Sequence, residues 1–128
     1  MPAIYRNGEL LVSMGVDLSQ PGPSAFTVRT TRPGPDIAVR CPVRMSGSAQ
    51  YEVRVNGHLV LGSGCSAPDP DGTLGVVDGA IDASAVPPSW AALGVRLGHA
   101  VTVVVTVTRP SFATTPAPLM SVGLYQAR

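Results

Sequence analysis

The chain has no lysine. Its nine basic side chains are all arginine, set against eight Asp and Glu, and only 13% of its 128 residues are charged. Arginine as the sole cation marks either GC-rich coding or selection against lysine. The net charge of +1 supplies no general electrostatic pull toward nucleic acid or an anionic membrane. Long apolar runs are missing as well. None approaches the ~20 residues of a transmembrane helix, and the longest β-branched stretch, Val101 to Val107, is interrupted by Thr102 and Thr106 in the manner of a strand. The first residues lack a basic segment followed by an apolar one, so no signal peptide stands in the sequence as given.

The residues that carry chemistry are equally sparse. Glu9 and Glu52 are the only glutamates, and Glu52 sits beside Arg54, which leaves little for a pair of carboxylates to work on a glycosidic bond. There is no G-x-S-x-G, and Gly62-Ser63-Gly64-Cys65 holds its serine out of register for a nucleophile elbow. His58 follows a hairpin turn and His99 lies in a Gly-His turn, so both are expected to be exposed turn residues. Two distant histidines and two cysteines make no zinc motif. The chain is therefore read as not an enzyme, with no cofactor.

What is present is the composition of a β protein. Apolar residues make up 45%, with 14 glycines and 13 prolines, a balance that suits many short strands joined by tight turns. The organising stretch runs from Ile37 to Cys65, IAVRCPVRMSGSAQYEVRVNGHLVLGSGC. Asn56-Gly57 divides two apolar, β-branched runs, as a type I′ turn requires, because both central residues must take positive φ. That turn sets Val55 opposite His58 and Val53 opposite Val60. The chain's two cysteines, Cys41 and Cys65, bracket the hairpin, and a bridge closing 25 residues counted inclusively contributes about 3.5 kcal/mol by loop entropy.

Further strands are expected over Glu9–Val16, Ala25–Thr31, Ile37–Cys41, Thr73–Ile81, Ala100–Thr108 and Leu119–Gln126, with Asp17–Ser24 as a loop and at most one helical turn near Ser89. In the hairpin's second strand Leu59 and Leu61 share the parity of polar neighbours, so either both faces are partly covered or a bulge intervenes. The fold expected is a single all-β domain over 1–128, an antiparallel β-sandwich of immunoglobulin-like or jelly-roll type with about seven or eight strands and little or no helix. A small β-barrel is the alternative. Paired cysteines around a Tyr-x-Val-x-Val strand, with a late Val-Thr-Val run, are similar to exported bacterial sandwich modules; the likeness names no family.

Several residues stand out as candidate contacts. Arg29, Arg40 and Arg54 should all point away from the core, and neighbouring strands would align them as a basic stripe for an anionic polymer or acidic partner. Trp90, the only tryptophan, is placed to stack a sugar ring if it stands on a sandwich rim. Asp69-Pro70-Asp71-Gly72 looks like half of a calcium loop, but nothing downstream supplies a bidentate glutamate. The expectation is a non-catalytic binding or structural module, extracytoplasmic if the bridge forms and cut from a longer exported or membrane-anchored protein. Its rivals are a carbohydrate-binding module using Trp90 and a protein-interaction or assembly module. A protein or carbohydrate partner is favoured over nucleic acid, with no membrane insertion within this chain.

Overall fold

The computed structural model describes residues 4–5, 8–31, 36–42, 47–66, 93–112 and 117–127. Eight strands occur among them: β1 (Ile4–Tyr5), β2 (Gly8–Asp17), β3 (Gly22–Arg29), β4 (Asp36–Arg40), β5 (Ala49–Val55), β6 (His58–Cys65), β7 (Ala100–Arg109) and β8 (Leu119–Ala127). They form two four-stranded antiparallel sheets, ordered β1-β2-β8-β4 and β3-β7-β5-β6. No ladder joins the two sheets among the described residues, so the fold is a sandwich and the barrel alternative falls away. The region that would hold the Thr73–Ile81 strand and the turn near Ser89 lies outside the described residues.

Period-2 patterning builds the core. Val101, Val103, Val105 and Val107 of β7 and Tyr51, Val53 and Val55 of β5 turn one face inward. They meet Val16 of β2, Ile37 and Val39 of β4, and Met120, Val122 and Leu124 of β8 from the other sheet. Thr102, Thr106 and Thr108, interleaved with the β7 valines, take the opposite face, which explains why a Val/Thr run is a strand and not a membrane span. The β8 strand departs from simple alternation. Tyr125, Gly123 and Ala38 are buried although they lie opposite in parity to Leu124, Val122 and Val39, so the centre of the first sheet is covered on both faces.

The hairpin turn forms as its residues demand, with φ of 48° at Asn56 and 85° at Gly57 and with Val55 opposite His58. The expected pairing of Val53 with Val60 does not occur. Val53 faces Leu61 and Arg54 faces Leu59, so Val60 is the extra residue of a bulge that turns Leu61 inward and leaves Leu59 on the outer face. A second correction concerns the loop over Asp17–Ser24. The strand β3 begins at Gly22 and takes in Pro23 and Ser24, while Asp17 closes β2. Proline is tolerated there because β3 is an edge strand that pairs with β7 alone.

Cys41 and Cys65 are bonded, with Cα atoms 5.6 Å apart, inside the range a disulfide spans without strain. Cys41 follows β4 at the edge of one sheet and Cys65 ends β6 at the edge of the other, so the bridge joins the sheets where no hydrogen-bond ladder does. Both are buried. Met120 Sδ lies 3.8 Å from Cys65 Sγ, a sulfur–sulfur contact with no proton in it because Cys65 is oxidised.

Candidate functional site

A concave surface with converging polar groups lies on the outer face of the β3-β7-β5-β6 sheet. Gln50 and Glu52 project from β5, and register sets them beside Gly64 and Gly62 of β6, which carry no side chains to fill the space. Thr108 of β7 closes the far side. The cavity measures about 400 Å³, within the lower range of small-molecule sites, and it is open to solvent. Its donors and acceptors are a carboxamide, a carboxylate and a hydroxyl, a set suited to a neutral, hydroxylated ligand. The two glycines differ in kind. A Cβ on Gly64 would stand 2.8 Å from the Ala49 carbonyl oxygen, so close backbone approach requires glycine there, whereas a Cβ on Gly62 would meet open space.

Arg54 borders this depression and pairs with Glu52 at 3.3 Å, both side chains being half-exposed. Such a pair contributes ~0–1 kcal/mol to stability, and its effect here is to hold the Glu52 carboxylate in place. The predicted stripe of three arginines does not form. Arg29 and Arg54 share the outer face of one sheet, but β7 separates their strands and Arg29 is drawn aside to donate to the Gly98 carbonyl at 2.9 Å. Arg40 belongs to β4 in the other sheet, near Tyr125. Alternation gave each arginine its face within its strand but not the sheet to which that strand belongs.

Two tyrosine hydroxyls are perturbed. Burial pushes Tyr51 above the usual phenol range, and Ser63, opposite it on β6, draws it part of the way back. Burial likewise raises Tyr125, with the Arg40 charge acting against the rise. His58 and His99 are exposed, as their turn positions imply. Trp90, Asp69 and Asp71 lie outside the described residues. Among the described residues no group of three or more His, Cys, Asp or Glu is placed to hold a metal ion, and no helix is long and apolar enough to cross a membrane.

At the end of the sandwich that carries the hairpin turn, Asn56 makes three hydrogen bonds. Its amide N–H donates to Thr102 O at 2.9 Å, its Oδ1 accepts from Thr102 N at 3.0 Å, and its Nδ2 donates to Leu93 O at 3.0 Å. The side chain thus extends the β5–β7 ladder by one rung and fastens the 93–99 segment to it. At the same end the buried Gln126 accepts from the Thr31 amide at 3.0 Å and reaches Glu9 Oε1 at 3.4 Å, linking β8 to the chain leaving β3 and to β2. The opposite end carries the disulfide. There Ser111 N donates to Leu18 O and Leu18 N to Pro118 O, and the residues next along, Phe112 and Leu119, are 77% and 56% exposed.

Gln50, Thr108, Gly62 and Gly64 were not foreseen as a site. The available signal was the pair of glycines two apart in a strand, which share one face and leave a gap beside whatever strand pairs with them. No family model, no curated protein and no solved structure matches the chain.

Proposed function

We propose that the chain is a non-catalytic binding or structural module that works outside the cytoplasm. The observation that carries this is the buried Cys41–Cys65 bridge between the two sheets, since such bonds persist in oxidising compartments and are rare where glutathione keeps thiols reduced. The ligand surface we assign is the Gln50/Glu52/Thr108 depression, and its ligand class is a neutral polyhydroxylated molecule such as a glycan. Support comes from the uncharged balance of the Glu52–Arg54 pair and from the open floor at Gly62.

The test is glycan-array binding by the wild-type protein and two variants. Gly62→Gln puts a side chain into the depression from a position where an added Cβ meets nothing within 4 Å, so binding that disappears in this variant at unchanged melting temperature supports the assignment. Binding that survives Gly62→Gln and disappears on Trp90→Ala moves the contact to the tryptophan. A second reading, assembly with another protein or another copy, is favoured by the exposed Phe112 and Leu119 at the disulfide end. Light scattering across a concentration series, with Phe112→Ser as the control, separates it from glycan binding.

A further inference from the structure

We propose that Asn56-Gly57 is a latched deamidation site: the fold holds the asparagine carboxamide shut by its own hydrogen bonds, and chemical conversion of this residue releases the latch for good. Asn-Gly is the dipeptide in which the reaction is least hindered, because the attacking nitrogen belongs to a residue without Cβ. The Gly57 backbone nitrogen gives up its proton to water or hydroxide and attacks Asn56 Cγ. The Cγ–Nδ2 bond breaks, the departing nitrogen takes up a proton and leaves as ammonia, and a cyclic imide remains. Water opens the imide at either carbonyl, giving aspartate or isoaspartate, so that one water enters for each ammonia lost.

The geometry opposes the first step. Oδ1 is held by Thr102 N at 3.0 Å and Nδ2 by Leu93 O at 3.0 Å, so Cγ cannot swing toward Gly57 N or become tetrahedral without breaking both bonds. The Asn56 N–H, donated to Thr102 O at 2.9 Å, pins the backbone on the other side. Once conversion has occurred the latch cannot close fully, because the donor to Leu93 O is gone. Aspartate would set a carboxylate oxygen against the Leu93 carbonyl, acceptor facing acceptor, and isoaspartate would lengthen the main chain through Cβ, which destroys the pairing of Val55 with His58. The β5–β6 hairpin would then lose its tie to the 93–99 segment.

The experiment follows Asn56 by peptide mass, where deamidation adds about one mass unit, and labels isoaspartate enzymatically, in folded protein and in guanidinium-unfolded protein at mildly alkaline pH. Asn7-Gly8, the chain's other Asn-Gly pair, gives the intrinsic rate in the unfolded sample. The folded protein should convert at Asn56 about thirty-fold more slowly than the unfolded protein, the factor expected for opening two side-chain hydrogen bonds. Hydrogen exchange at the Thr102 amide, measured in the same folded samples, should be slow and should rise in step with conversion as denaturant is added. The Asn56→Asp variant, which carries the direct product, keeps an acceptor for the Thr102 amide but loses the donor to Leu93 O, and should melt below wild type. Equal folded and unfolded rates at Asn56, or a freely exchanging Thr102 amide beside an intact Asn56, would overturn the proposal.

Discussion

Tyr51 brings a hydroxyl into a core of valine, leucine, isoleucine, methionine, alanine and the bridged cysteines, and although Ser63 stands opposite it on β6, the buried oxygen forms no hydrogen bond of good geometry. A buried polar group left unpaired costs about 1–3 kcal/mol, while the ring itself is well packed. Tyr51→Phe should therefore raise stability by about 1 kcal/mol, read as a melting shift of about 3–5 °C; a loss of stability would mean that the hydroxyl finds a partner in solution. The two buried tyrosines also set an alkaline limit. Both hydroxyls titrate above the unfolded value of 10.0, so the folded state keeps protons that the unfolded state gives up. Stability is then unaffected below pH ~10 and falls as pH rises past it, by about 1.4 kcal/mol per pH unit for each tyrosine until the folded value is reached. Denaturant midpoints between pH 8 and 11, with tyrosinate absorbance followed alongside, should show a plateau and then a decline. The decline should be shallower in Tyr51→Phe.

At the scale of elements, β6 carries the sharpest contrast, because two glycines of one strand face play opposite parts. Gly64→Ala pushes a methyl to 2.8 Å from a backbone carbonyl and should cost about 1–3 kcal/mol, since the strand must shift. Gly62→Ala meets nothing within 4 Å and removes freedom only from the unfolded chain, so it should be neutral or stabilising by about 0.4–1 kcal/mol. Urea denaturation of the pair checks both signs, and equal effects would contradict the register in which Glu52 faces Gly62 and Gln50 faces Gly64. The same strand marks how far sequence reading reaches. The Asn56-Gly57 turn was legible because positive φ at two successive positions leaves few residue types, and the β7 strand because Val and Thr alternate over its length. The bulge at Val60 was not settled in advance, since one inserted residue reverses parity and parity alone cannot say which side of the insertion is displaced. The two-residue β1 was missed for want of length. The depression was legible only in the spacing of Gly62 and Gly64: the rest is polar groups on β5 and β7, and only pairing brings them together.

For the whole molecule the question is what keeps two separate sheets together. Ladders hold each sheet internally, and across the gap stand the core contacts, the crossing loops and one covalent link from the edge of β4 to the edge of β6. Closing a loop of this length removes about 3.5 kcal/mol of unfolded-state entropy, set against a total stability of about 5–15 kcal/mol for a domain of ordinary size. The Cys41→Ala/Cys65→Ala double variant should fold but melt about 10–15 °C lower, with the same β-rich circular dichroism below the transition. Because the cysteines are only 8% and 2% exposed, thiol reductant should leave the bridge intact under native conditions and open it once denaturant populates the unfolded chain. Mass spectrometry after alkylation measures that directly. If the bridge is instead reduced at once in the native state, the β4 and β6 edges must part readily, and the Cα separation of 5.6 Å would describe a joint that opens. If the double variant melts where the wild type does, the core alone holds the sheets, and the disulfide loses its weight as a stabilising link.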